Sequence, residues 1–208
     1  KNEEALPYYE YVASQAKSKY TETSLRNAAI IAYNSKSYAK ANSLFMQLAQ
    51  VSEIEGNIQL ANMGAMRTFY ELTDYQNVIE RANVILSSEK YSTEDREEAA
   101  ISKARAFYTL GYTDSAMFAY RTLRNSDNGE YSGEAAYREA ESYFKKKDYA
   151  NAELAIDEAI SDPHSDYWAA KTFILWADIF HINGNDLQAK QTLQSIIDNY
   201  DGEDLVLE

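Results

Sequence analysis

Residues 140–163 read AESYFKKKDYANAELAIDEAISDP. Ala140 and Tyr143 stand three apart, Asp148-Tyr149 interrupts, and Ala152, Ile156 and Ala159 follow at i, i+4 and i+7. Residues at those offsets share one face of an α-helix, so the stretch predicts a helix, a turn and a second helix. Asp148 suits the N-cap of the second helix. Pro163 cannot continue it.

The same grammar recurs along the chain. Ala41, Phe45 and Leu48 form one such triplet, as do Val78, Ala82 and Ile85; Ala116, Tyr120 and Leu123; and Ala189, Leu193 and Ile196. From Ala41 through Ala152 to Ala189 the first members are 37, 38, 36 and 37 residues apart. Each triplet follows a break: Ser37-Tyr38, Asp74-Tyr75, Gly111-Tyr112, Asp148-Tyr149 and Asn183-Gly184-Asn185. Gly closing a helix and Asp or Asn opening the next are stop and start signals. Upstream of the breaks lie further apolar stripes, marked by Ala29, Phe69, Ala104 with Phe107, Ala140 with Tyr143, and Ala177 with Phe180. The spacing predicts a helix–turn–helix unit of about 37 residues repeated five times, and fixed periods of this size mean stacked repeats. Ala5, Tyr9 and Val12 carry the triplet spacing 36 residues before Ala41, as expected for the second helix of a truncated sixth unit.

These residues resemble the tetratricopeptide repeat. That pattern has a small residue three before an aromatic in the first helix, Gly and an aromatic at the turn, then Ala, aromatic and Ala in the second. Ala140, Tyr143, Tyr149, Ala152, Ile156, Ala159 and Pro163 match best. Trp176, Ala177, Phe180, Gly184 and Ala189 follow, but Asp186 replaces the turn aromatic. Ala104, Phe107, Gly111, Ala116 and Tyr120 have Tyr112 one place early; the second unit departs with Met66 and Val78, and the first with Ala32 and Leu48. The resemblance implies an all-α, right-handed α-solenoid: a single domain over 1–208, with a partial repeat at 1–20, repeats at 22–54, 55–91, 92–128, 131–163 and 165–200, and an acidic tail at 201–208. Repeat arrays end in polar caps, and 201–208 offers no capping helix, so a fragment of a longer array is expected. Units longer than 34 residues look like those of bacterial envelope scaffolds of the TolA-binding and outer-membrane-assembly type, which implies a periplasmic or cell-envelope location.

Composition narrows the function. The 208 residues contain no Cys, 7 Gly and 2 Pro, which excludes disulfides, thiolate metal sites and a cysteine nucleophile. Lys and Arg number 20 against 33 Asp and Glu, a net charge of −13, the wrong sign for nucleic acid or anionic membranes. No apolar run is long enough to insert in a membrane. His164 and His181 are too far apart for a helical ligand pair, and His164, beside Pro163, reads as solvated. Asp127-Asn128-Gly129-Glu130 lacks calcium-loop spacing. Glu97 with Glu98 and Glu203 with Asp204 read as solvated or helix-start charges, and Lys145 to Lys147 as cations at a helix C-terminus. Neither catalysis, a cofactor nor a metal is expected.

What remains is a protein or peptide partner in the concave groove. The resemblance implies that the residue after each core aromatic faces that groove: Tyr33, Tyr70, Tyr108, Phe144 and His181. Three or seven residues earlier stand Arg26, Ile30, Met63, Arg67, Ile101, Arg105, Tyr137, Glu141, Ile174 and Asp178. Of these, Arg26, Met63, Arg67, Arg105 and Tyr137 join the rings as partner-binding candidates, since aromatics and Arg dominate binding hot spots. Arg67 and Arg105 recur at equivalent places and favour an acidic segment, unless they pair with Glu71, Glu98 or Glu141. The competing reading of each ring is a core side chain. Chaperone-tail-binding members of the family carry Lys, Asn, Asn, Lys and Arg where this chain has Arg26, Ile30, Gly64, Glu98 and Ser102, so the carboxylate clamp for a chaperone C-terminal tail is absent. The alternative reading is an envelope glycan binder, drawn from 18 Tyr among 27 aromatic residues.

Overall fold

The computed structural model describes residues 2–161, 163, 165–202 and 205. His164, Glu203 and Asp204, and most of the expected tail, lie outside them. The described residues form eleven helices and no strand: α1 (Asn2–Ser14), α2 (Thr21–Asn34), α3 (Tyr38–Val51), α4 (Glu55–Glu71), α5 (Tyr75–Leu86), α6 (Thr93–Thr109), α7 (Thr113–Arg121), α8 (Gly129–Lys145), α9 (Tyr149–Ser161), α10 (Asp166–Ile182) and α11 (Asp186–Asn199). They divide into two compact units, Lys1–Tyr112 and Thr113–Glu208. In unit 1 each of α1 to α5 packs on its successor, and α4 also touches α2 and α6. In unit 2 α7 packs on α8, α8 on α9, and α10 on α8, α9 and α11. The chain is thus an α-solenoid of helical hairpins.

Five turns of one design make the hairpins. Lys36, Thr73, Gly111, Lys147 and Gly184 all have φ between 57° and 78°. Each stands five residues before the first member of a triplet, so the turns keep the same 37, 38, 36, 37 spacing. The amide of the next residue donates back to the helix, from Ser37 to Ala32, Asp74 to Phe69, Tyr112 to Phe107, Asp148 to Tyr143 and Asn185 to Phe180. This is the Schellman motif, which satisfies carbonyls a helix end leaves orphaned. The following helix is then capped: Asp74 accepts from the amide of Asn77 and the side-chain nitrogen of Asn77, and Asp148 does the same with Asn151.

Alanines let the helices approach. Ala28, Ala29, Ala32, Ala41, Ala61, Ala65, Ala104, Ala140 and Ala152 are wholly buried. Phe45, Ala82, Tyr120 and Ile156, at the middle of successive triplets, are each at most 4% exposed. Leu193 holds the same place in α11 and is 42% exposed; no described helix follows α11 to cover it. Polar links join successive hairpins. Glu22 accepts from Ser52 Oγ and Asn57 Nδ2, and Gln59, 37 residues on, donates to the Lys90 carbonyl. In unit 2 the Tyr120 hydroxyl donates to Glu134, a carboxylate 2% exposed, at 2.9 Å.

Candidate functional site

The repeat register aligns the first helices of unit 1 in rows. Arg26, Met63 and Ile101 share one level of α2, α4 and α6; Ile30, Arg67 and Arg105 the next; Tyr33, Tyr70 and Tyr108 the third. Between α2 and α4 the surface opens into a cleft of about 470 Å³. Ile30, Leu60 and Met63 wall it, Phe45 and Gly64 lie at its base, and Tyr33, Asn34, Gly56, Gln59, Arg67 and Asp95 complete the lining. Sites of ~300–1,000 Å³ with apolar walls and few polar groups are the usual form of binding pockets.

Two glycines shape the cleft. A Cβ at Gly64 would lie 2.5–2.6 Å from the tip of the Phe45 ring, so the ring reaches the α4 backbone only because that Cβ is missing. At Gly56 a Cβ would meet nothing within 4 Å. The expected glutamate pair at 97–98 is not merely solvated. Glu98 takes the Arg67 guanidinium in a fork, Nε and Nη2 each donating at 2.6 Å, a geometry that adds strength to charge. Those bonds, more than the nearby Asp95 and Tyr33, push the Arg67 pKa further up. Asp95 lines the same cleft half-buried, and its carboxylate accepts no hydrogen bond among the described residues.

The rings meet partners across the turns. Tyr33 packs edge-on against Tyr38 and Tyr70 against Tyr75, both at 5.7 Å between centroids. Phe107 meets Tyr112 at 6.2 Å and Phe144 meets Tyr149 at 5.7 Å. The i, i+5 pairs were legible as recurring Tyr at helix starts. Tyr108 is half-buried at its row position, Arg105 likewise, and Arg26 is exposed with no ion pair among the described residues. Met63 and Ile101, at 4% and 1% exposure, belong to the core, and Met63 shows only an edge to the cleft.

In unit 2 the equivalent rows are Tyr137 with Ile174, Glu141 with Asp178, and Phe144 with His181. Tyr137 is 8% exposed and packs on Trp168 at 5.4 Å, with the Arg138 guanidinium and Lys171 ammonium over its ring. Exposed His181 meets Asp186 at 2.6 Å. Where unit 1 carries Arg67 and Arg105, unit 2 carries Glu141 and Asp178. The whole charge follows suit: unit 1 has 12 Lys and Arg against 14 Asp and Glu, a net of −2, and unit 2 has 8 against 19, a net of −11. At unit 1, with its near-balanced total, local charges outweigh any general field.

No three His, Asp or Glu among the described residues are grouped to hold a metal, and no described helix is long and apolar enough to cross a membrane.

No model of a known protein family matches the sequence, and no curated protein matches it. Solved structures do. A tetratricopeptide repeat protein from Parabacteroides merdae is 17% identical, with 99% of this chain aligned to 75% of that one at a TM-score of 0.50. BtubC from P. vanneervenii is 12% identical over 97% of this chain and 91% of its own, at 0.61. RapI in its apo form is 20% identical over 95% and 73%, at 0.50. At these identities the likeness is one of fold. The chain has a tetratricopeptide-type helical-repeat fold; the envelope subtype finds no support among these neighbours.

Proposed function

We propose that this protein is a non-catalytic interaction scaffold that binds a segment of a partner protein on the first-helix face of unit 1. The observation that carries the reading is the cleft between α2 and α4. It opens on the surface where the register aligns Arg26, Tyr33, Met63, Arg67, Tyr70, Arg105 and Tyr108, and it combines apolar walls with a few polar groups. Open apolar surface rimmed by polar side chains marks interaction sites. Tyr137, Phe144 and His181 form the corresponding face of unit 2, where aromatic and charged neighbours engage them more fully.

A photo-reactive residue at Ile30 or Tyr70, on the first-helix face, tests this against the same residue at Asn83 or Gln191, on exposed positions of second helices. The expected result is one cross-linked polypeptide from the first pair and not from the second. Equal capture at all four positions, or capture only from the second helices, overturns the assignment. A ladder of glycan adducts in place of a polypeptide would favour oligosaccharide binding instead.

A further inference from the structure

The charges around the cleft determine what fits it. Arg67 looks from the sequence like a receptor for an acidic ligand, but both faces of its fork go to Glu98. Its charge is therefore met within the fold, and an incoming carboxylate would have to displace a bidentate partner already in place. Asp95 is the charge left over. It lines the same cleft, accepts no hydrogen bond among the described residues, and sits in the first turn of α6. Tyr33 lines the same cleft, its ring held edge-on against Tyr38. Arg67 and Asp95 are the charged lining residues, and with Glu98 balancing Arg67 from outside the lining the sum is one negative charge.

We infer that the cleft takes a partner segment carrying a bulky apolar side chain and, within about one helical turn of it, a Lys or Arg. The apolar residue enters between Ile30, Leu60 and Met63 over the Phe45 ring, and the cation meets Asp95. This rests on the first-helix face being the binding surface, and it reverses the charge preference read from Arg67 and Arg105 in the sequence. An apolar anchor with one charge-assisted contact is the arrangement that sets both affinity and orientation in such sites.

Two substitutions test it without endangering the fold. Asp95→Asn keeps the shape of a side chain that accepts no hydrogen bond. Gly56→Phe fills the cleft from a position where an added Cβ meets nothing within 4 Å. The probe is a library of displayed random 12-residue peptides, selected on the full chain, with individual peptides then titrated against both variants and against Asp178→Asn in unit 2. The expected result is enrichment of peptides pairing Leu, Met or Phe with Lys or Arg. Their affinity should fall at least about tenfold with Asp95→Asn, the loss of one charged contact. It should be abolished by Gly56→Phe and keep its value with Asp178→Asn. Peptides blocked by Gly56→Phe but without a basic residue, or indifferent to Asp95→Asn, would overturn the cationic-partner inference and leave the binding surface standing. No enrichment, or peptides indifferent to Gly56→Phe as well, would overturn both.

Discussion

Gly64→Ala puts the packing at the base of the cleft to a direct test. Helix propensity alone favours the change, because alanine inside a helix is better than glycine by about 1 kcal/mol. Packing opposes it. The new methyl carbon would lie 2.5 Å from Phe45 Cζ and 2.6 Å from Cε1 and Cε2, where carbon atoms rest at ~3.5–4.0 Å. Relief needs a movement of roughly 1 Å. Phe45 is 4% exposed among Leu44, Leu48, Ala61 and Ala65, so its ring can yield only toward the cleft, at the cost of those contacts. Overfilling such a site costs about 1–3 kcal/mol, and the balance is a net loss of about 1 kcal/mol or somewhat more. Gly56→Ala is the matched control. It lies on the same helix with open space around it, and should be neutral or stabilising by a few tenths of a kcal/mol. Urea unfolding followed by far-ultraviolet circular dichroism reads both variants. If Gly64→Ala raises the midpoint as Gly56→Ala does, the ring does not rest against the α4 backbone and the cleft has a different base.

The turns, the inter-hairpin links and the buried carboxylate give three further tests. Thr73→Gly should stabilise by about 1 kcal/mol, because a β-branched residue pays for φ of 57° while its exposed side chain loses no packing; an unchanged or lower urea midpoint refutes the left-handed turn. Tyr120→Phe removes the hydroxyl that donates to buried Glu134 and should cost about 1.5–3 kcal/mol, the usual value of a hydrogen bond to a charged group. Both tryptophans, Trp168 and Trp176, lie in unit 2, so their fluorescence reports that loss, and an unshifted transition would show Glu134 unaffected. Glu22 is held below the ordinary carboxylate value of 4.5 by Ser52 and then Asn57, and Glu94 by backbone and Ser92 hydrogen bonds. A lowered folded-state pKa gives stability that is complete above about pH 4.5 and drains away as pH falls through the folded value. Glu22→Gln should flatten that acid limb, and an identical pH profile for the variant counts against the link.

Most of the architecture lies in short-range spacing. The apolar triplets give the second helices because a stripe at i, i+4 and i+7 can be buried only on one side of a helix. The 37, 38, 36, 37 sequence of intervals reappears exactly in the positive-φ residues, so repeat length and turn position are one signal. The turn residues themselves were less legible. Gly111 and Gly184 announce a left-handed conformation, whereas Lys36, Thr73 and Lys147 adopt it because two backbone hydrogen bonds of the Schellman motif hold them there. The exposure of Leu193 follows from what stands beside it: an apolar triplet records which face of a helix can be buried, and the neighbour must be supplied from elsewhere in the chain.

The candidate site divides along the same line. Which residues share a row on the first helices follows from the repeat length, and Met63, Arg67 and Tyr33 do line one cleft. Which charges in that row are available depends on pairings 31 residues apart, such as Arg67 with Glu98, and no periodicity encodes them. A recurring arginine and a helix-start aspartate look alike in function until the fork is seen to close on Glu98. On our proposal Asp95, not Arg67, is then the charge that a partner meets at the cleft. The same logic explains why the aromatic rows matter less than their number implies: each pair across a turn, as in Tyr33 with Tyr38, spends part of its surface holding a hairpin together. On that proposal, selectivity rests on the few side chains at the cleft that the fold leaves uncommitted. That is why a single isosteric change at Asp95 is the most discriminating perturbation the surface offers.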